Sequence, residues 1–511
     1  MQLDVIQNAK RNIVFGTINK TVLLLCPFIE RTILHYILGS QYLGLNNLFA
    51  SILSVLSLTE LGFSSAMIYH MYKPVAEDNI DKVNALLNFY KKAYRIIGIM
   101  LIIIGLMLIP FLPSLIRGSY PKEVDLKVLY LMFLSNSAIG FFLYAYMESI
   151  LIVHQRDDVQ SRINSATRVL LMLFQTSVLF ITKSYYLFLA LMPLFTVVNN
   201  VWIAFRINRL FPYYKPAGNL NSNEKAEIKK LVTGAFIQRA CSVTRNSLDS
   251  ICLSAFLGLT LTAIYNNYYM IMNGVTVFMG VIGAAFTGGV GNHVATRNVD
   301  DNFEELQKLD FVYLWIAGWC ATCLVCFLQP LMQLWMGKEM MLPISVVVLL
   351  VFYFYLLKLG DIITLYSTAK GLWWEHRYRA IAETFLNLIL NIVLGKLYGV
   401  YGIIVATIIS LFLCNCLWSR WITFKNYFGL SRLKAYYFYQ CKQVIVASIA
   451  IAVSLYFCDL FTSNITVVTL IIRAMICILV PNLIFGLVYR RTPHYEYVKN
   501  LVLQRINMIL F

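Results

Sequence analysis

Apolar runs of about 20 residues recur along the whole chain, the length an α-helix needs to cross the hydrocarbon of a bilayer. They fall near residues 12–35, 42–71, 93–115, 126–152, 160–182, 184–205, 231–256, 261–290, 311–333, 343–368, 378–396, 400–421, 441–459 and 465–488. Of the 511 residues 59% are hydrophobic and only 13% charged, more apolar surface than a soluble domain can hide. The expectation is an all-α integral membrane protein of about fourteen transmembrane helices. The first run carries Asn19, Lys20, Glu30 and Arg31 and no small-residue cleavage site follows it, so it reads as a span and not as a removable leader.

Orientation follows from the basic residues. Most of the 42 Lys and Arg side chains, among them Lys10, Arg11, Lys91, Lys92, Arg206, Lys230, Arg420 and Arg490, fall on alternate connections, which the positive-inside rule assigns to the cytoplasm together with both termini. The net charge of +17 is then a topology signal and a contact with anionic lipid, and it needs no nucleic-acid partner.

The longest connection, 206–230 (RINRLFPYYKPAGNLNSNEKAEIKK), is rich in Pro, Gly and Asn and follows the sixth span. It divides the chain into an N-lobe (1–205) and a C-lobe (231–421) of six helices each. An interfacial segment (422–440) and two further spans with a cytoplasmic tail (441–511) complete it. No phosphate-cradling G-x-x-x-x-G-K-[ST], no H-E-x-x-H and no large external loop is present, which points to a transporter without covalent chemistry.

The two halves match one another. A shift of 219 positions pairs Lys20 with Arg239, Glu30 with Asp249, Leu38-Gly39 with Leu257-Gly258, Asn79 with Asn298 and Asp81 with Asp300. Rare intramembrane charges coinciding in type and depth indicate a parallel repeat about an axis along the membrane normal, a plan in which substrate binds between lobes.

A charge at the centre of a spanning helix costs roughly 2.5 to 3.5 kcal/mol on insertion scales, so such residues mark polar cavities or ion pairs. The stretch 234–273 carries Gln238, Arg239, Arg245, Asn246 and Asp249. The candidate substrate-binding cations are Lys20, Arg31, Arg168, Arg239, Arg245 and Lys358. Their excess over anions suits a ligand with phosphate groups, because ammonium and guanidinium form charge-assisted hydrogen bonds to phosphate oxygens. Asp249, Glu60 and Asp361 are the candidates for proton or sodium coupling or for gating. Asn266, Asn267 and Tyr268 are candidate sugar contacts.

Structural readings stand beside these. Arg245 with Asp249 (i, i+4) and Lys358 with Asp361 (i, i+3) are spaced to pair within one helix. Glu30 and Arg31 sit where neighbouring helices could neutralise them. Glu383, Asn387 and Asn391 form a polar stripe, with Glu383 placed to snorkel to the cytoplasmic edge. Arg473 lies midway along the last span, where it either faces a lipid groove or bridges helices. Cys320, Cys323 and Cys326 have the spacing of metal ligands, but they lie on an apolar span with no histidine and read as packing residues; no metal and no other cofactor is expected.

The pattern Asn12, Phe15-Gly16, Leu38-Gly39, Tyr42-Leu43-Gly44-Leu45, Asn47-Leu48-Phe49, Leu56-Ser57-Leu58-Thr59-Glu60-Leu61-Gly62 and Tyr72-Lys73-Pro74 is followed by Asp249, Ser254, Leu257-Gly258 and Tyr265-Asn266-Asn267-Tyr268. Together these residues resemble the bacterial polysaccharide repeat-unit flippases, the Wzx type, in the superfamily that includes the multidrug and toxic compound (MATE-like) extruders. The resemblance implies two six-helix lobes around a central cavity plus two C-terminal helices, in the bacterial cytoplasmic membrane. It implies flipping of an undecaprenyl-diphosphate-linked oligosaccharide for capsule, exopolysaccharide or O-antigen, in association with polysaccharide polymerase machinery. Lys20, Arg31 and Arg239 would line the cavity, and Asp249 would be the acidic position of the seventh span. The last two helices would border a groove for the prenyl tail, as in peptidoglycan lipid-precursor flippases.

Three alternatives stand beside that function. A peptidoglycan lipid-precursor flippase shares its physics. A drug or cation antiporter of the same fold would favour acidic, aromatic-lined cavities. A membrane polysaccharide polymerase or ligase would call for a large external loop.

Overall fold

The computed structural model describes residues 5–57, 63–461, 466–496 and 499. Side chains of 5–7, 9, 10, 65, 66, 230, 231, 233–240, 242 and 246 lie outside that description, so Arg239 is known only as a position on its helix, and Glu60 not at all.

Seventeen α-helices and no strand are present among the described residues. They are α1 (Val5–Leu38), α2 (Ser40–Leu56), α3 (Phe63–Ala76), α4 (Ile80–Leu108), α5 (Leu126–Phe142), α6 (Glu148–Val153), α7 (Asp157–Thr182), α8 (Tyr185–Leu210) and α9 (Ser222–Leu257). There follow α10 (Leu259–Thr296), α11 (Val299–Met336), α12 (Ile344–Lys358), α13 (Asp361–Ala369), α14 (Arg377–Leu411), α15 (Ser419–Thr423), α16 (Leu433–Phe461) and α17 (Val467–Tyr489).

Ten continuous helical runs among the described residues are long and apolar enough to cross a membrane, or eleven if Leu126–Phe142 and Ala145–Val153, bent by 46°, form one span. The difference from fourteen has local causes. The run Arg377–Phe428 is 52 residues long, enough for two crossings, and breaks at Gly399, whose φ of 60° no helix tolerates. Charges at Arg239, Arg245 and Asp249 interrupt the apolar stretch of α9, and α2 and α3 are separated by the undescribed residues 58–62. Large apolar side chains stay exposed along α1, α4, α16 and α17, for example Ile13, Ile99, Ile445 and Leu483, as on a lipid-facing wall.

The chain forms two compact units, Met1–Ala263 and Ile264–Phe511. In the first, α1 lies along α7, α7 on α8, α5 against α4 and α8, and α2 and α3 against α9. In the second, α11 is central and packs on α12, α16 and α17. The 206–230 connection is docked within the first unit. Its Lys215 amide donates to Asn84 Oδ1 (2.7 Å), Asn88 donates to the Gly218 carbonyl (2.6 Å), and Lys82 pairs with Glu224.

The internal repeat is visible in the backbone. Helices α1 and α9 end at Leu38 and Leu257, and each is followed by a glycine at positive φ, 99° at Gly39 and 90° at Gly258. Helices α4 and α11 begin at Ile80 and Val299, and their caps match: Asn79 accepts from the Lys82 amide (3.0 Å) and Asn298 from the Asp301 amide (2.8 Å). Gly118 and Gly337 close the same stretch at φ 85° and 86°. All these positions differ by the 219 residues that align the charges.

Two outcomes follow. A Cβ at Gly258 would meet the Arg117 carbonyl oxygen at 2.9 Å, whereas at Gly39 nothing lies within 4 Å. Both Gly→Ala changes therefore store backbone strain of about 1–3 kcal/mol, and Gly258→Ala lowers the melting temperature in detergent by more than Gly39→Ala. Second, His376 lies in the loop before α14, buried, within 2.9 Å of the Ser367 hydroxyl. Burial first, and the neighbouring Arg379 charge second, push its pKa down to about 4 from 6.5. The unfolded chain therefore binds a proton that the folded chain refuses between those values, so stability falls as pH drops from about 6.5 towards 4. Melting curves of wild type and His376→Gln should diverge at pH 7.5 and converge as the pH approaches 4.5.

Candidate functional site

Helix α7 places Asn164, Thr167 and Arg168 on one face, at i, i+3 and i+4, and α8 does the same with Met192, Phe195, Thr196 and Asn199. With Asn136 of α5 and Leu23 of α1 these residues line an open cavity of about 270 Å3 within the first unit. Polar groups tie its walls together. Thr167 Oγ1 donates to Asn199 Oδ1 (2.8 Å), Thr196 Oγ1 donates to Asn136 Oδ1 (2.8 Å), and Asn199 reaches Asn200 at 3.5 Å.

Among the described residues Arg168 is the one charged side chain lining this cavity. Its Nη2 donates to Glu30 Oε2 of α1 at 2.5 Å, with both side chains mostly buried, and Glu30 Oε1 is buried without a hydrogen-bond partner. Neighbouring Arg31 donates to Asn47 Oδ1 of α2 (2.7 Å). The cavity is therefore close to neutral, rich in amide and hydroxyl groups that both donate and accept, and edged by a guanidinium with further N–H donors. That chemistry suits a polyhydroxylated ligand with an anionic part.

The other sequence candidates are dispersed. Lys20 is exposed on α1 and makes no ion pair with a described residue. Arg245 and Asp249 are both buried on α9. Lys358, 4% exposed, pairs with Asp361 at 2.7 Å as the i, i+3 spacing predicts, and Tyr313 also donates to that carboxylate (2.5 Å). Asn266 and Asn267 lie on α10, half-buried and buried.

Three readings need correction. Tyr268 is fully buried, its hydroxyl donating to Gln329 (2.8 Å) and accepting from the Leu342 amide (3.1 Å), so it is committed to packing and is no sugar contact. Glu383 does not snorkel: it is buried, and accepts from Arg379 and Asn415, each at 2.9 Å. Arg420, counted among cytoplasmic basic residues, is 1% exposed and donates to the Leu359 (2.9 Å) and Asn415 (3.4 Å) carbonyls. For Arg473 the bridging alternative holds, since it donates to the Cys326 carbonyl at 2.7 Å.

Sequence reasoning also passed over buried Asp310, which accepts from Tyr436 and Gln440 at 3.1 Å each, and over the asparagines of the cavity. The signal for the latter was present: Asn164, Thr167 and Arg168 repeat at helical spacing on an otherwise apolar span.

Removing one partner from a buried ion pair costs about 3–5 kcal/mol, because the other charge is left uncompensated. Glu30→Gln should destabilise the protein by about 3 kcal/mol by that rule. The double variant Glu30→Gln, Arg168→Gln should melt above the single one, a difference that thermal unfolding in detergent reads directly.

No protein-family model and no curated protein matches the sequence. Solved structures do match the fold. A lipid II flippase MurJ in an inward-closed conformation superposes with a TM-score of 0.68 at 15% identity, over 94% of this chain and 99% of that one. An inward-facing multidrug-resistance MATE-family transporter of the MOP superfamily gives 0.59 at 14% identity, over 83% and 99%. A MOP-superfamily transporter from Pyrococcus furiosus gives 0.53 at 14% identity, over 84% and 96%. Identities this low establish the fold, which is the MurJ and MATE architecture.

Proposed function

We propose that this protein is a flippase that carries undecaprenyl-diphosphate-linked oligosaccharide repeat units across the bacterial cytoplasmic membrane by alternating access, for capsule, exopolysaccharide or O-antigen export. The observation that carries the reading is the amide-lined, nearly neutral cavity beside Arg168. A diphosphate-sugar head group cannot enter hydrocarbon unaided, since burying its polar groups without partners costs several kcal/mol each. Asparagine and threonine side chains replace the water that sugar hydroxyls lose, and the arginine meets the diphosphate. The prenyl tail stays in lipid while the head moves.

Lys20 and Arg239 extend the same logic as cations along the substrate path, with Arg31, Arg245 and Lys358 as further candidates. Asp249, Glu60 and Asp361 are the groups through which a proton or sodium ion would couple to the cycle. The polysaccharide polymerase machinery is the partner expected to receive the product. A neutral, amide-rich lining gives an organic cation little to bind, which sets the drug antiporter lower.

The peptidoglycan lipid-precursor flippase is the second reading, favoured by the likeness to the lipid II flippase over nearly the whole of both chains. Deletion separates the two: loss of surface polysaccharide with normal division supports the first, and loss of viability the second.

The direct test uses proteoliposomes with a fluorescent undecaprenyl-diphosphate oligosaccharide in one leaflet. Wild type should move it to the other. Asn164→Leu and Asn199→Leu should each slow transfer about tenfold, the worth of one hydrogen bond of about 1–1.5 kcal/mol. Unchanged rates in both variants would take the cavity out of the account, and transfer confined to peptidoglycan precursors would move the assignment to the second reading.

A further inference from the structure

The eleven cysteines all carry thiols, and three of them, far apart in sequence, meet inside the second unit. Cys326 of α11, Cys458 of α16 and Cys477 of α17 are buried, with their sulfurs all within 4.8 Å of one another. Cys323, one turn before Cys326, packs against the same cluster, and among the described residues no histidine or carboxylate joins the triad.

Small side chains fill helix contacts without any further purpose, and alanine would serve equally well. Here three helices each deliver a sulfur to one point, and Arg473 stands beside it. Arg473 lies one turn before Cys477 on α17 and donates to the carbonyl of Cys326 itself. A cation on a helix as apolar as α17 has a reason to be there if the thiols around it carry negative charge.

We propose that Cys326, Cys458 and Cys477 form a site for one soft, thiophilic metal cation, with Cu(I) as the ion it favours. Soft thiolates select Cu(I), whereas structural zinc takes four ligands in a closed tetrahedron. Among the described residues three sulfurs are mutually close, and Cys323, which hydrogen-bonds to Cys477, does not join the mutual set. With metal–sulfur bonds of about 2.3 Å a trigonal site has sulfurs about 4 Å apart, so the triad contracts by less than about 1 Å. Charge balances as well: Cu(I) on two thiolates and one thiol carries a net negative charge, which the Arg473 guanidinium offsets, and the two released protons leave with solvent. Cys458 lies within a turn of the end of α16 at Phe461, a short route from the membrane surface. The bound ion fastens α11 to the α16–α17 pair.

The test is Cu(I) titration of the reduced, full-length protein in detergent against a chromophoric Cu(I) chelator, with Zn(II) in a parallel arm. Wild type should hold one Cu(I) per chain and show thiolate-to-copper absorption. Cys326→Ser, Cys458→Ser and Cys477→Ser should each weaken binding at least tenfold. Cys441→Ser, which removes an exposed thiol, should leave it unchanged. Because serine variants of buried cysteines can fail to fold, a second measurement uses wild type alone: copper K-edge X-ray absorption should show a first shell of sulfur only, three atoms at about 2.3 Å. Retention of the copper by the triple serine variant, a first shell of nitrogen or oxygen, or tighter binding of Zn(II) would each overturn the assignment.

Discussion

Hydrocarbon offers no hydrogen bonds, and the buried polar side chains of this protein are arranged under that constraint. Glu30 meets Arg168 across α1 and α7, Lys358 and Tyr313 meet at Asp361, and Arg379 and Asn415 meet at Glu383. In the second unit, Asp310, Tyr436 and Gln440 bond one another, and Gln440 shares the Leu359 carbonyl with Arg420. Each network joins groups remote in sequence or turns on one helix. Together they hold each helix in a fixed rotation, which apolar packing between equally oily surfaces specifies weakly.

The first-unit cavity concentrates such groups. Asn136, Asn164 and Asn199 stand half-buried where leucines could have stood, and the bonds that Asn136 and Asn199 accept from Thr196 and Thr167 use only part of their capacity. A membrane protein keeps unspent polar capacity at mid-span where something polar enters. Arg168, paired with Glu30 through one of its nitrogens, gives the site a second property: an anionic ligand can share the guanidinium without leaving Glu30 unpartnered, so binding need not expose an isolated charge.

Much of this architecture was legible in the sequence, and for a physical reason. Apolar length dictates spans, and the 219-residue offset survives as the same positive-φ glycines and asparagine caps, because turns and caps depend on local chemistry. The Lys358 and Asp361 pair was readable because both sit on adjacent turns. Contacts between helices were not. Nothing local distinguishes Tyr268, bound into the Gln329 and Leu342 contacts, from a tyrosine open to a sugar, and Glu383 looked able to reach water until Arg379 and Asn415 were placed beside it. Arg420 illustrates the same limit: a basic residue at a span end counts as cytoplasmic by rule, yet this one is enclosed by its own unit.

The account rests on the first-unit cavity being where the head group sits. A structure of the protein in lipid nanodiscs with an undecaprenyl-diphosphate oligosaccharide tests that most directly. Sugar density should lie against Asn164 and Asn199, with the diphosphate near Arg168. A cavity filled by lipid tail or left empty while the head group occupies another place would contradict it.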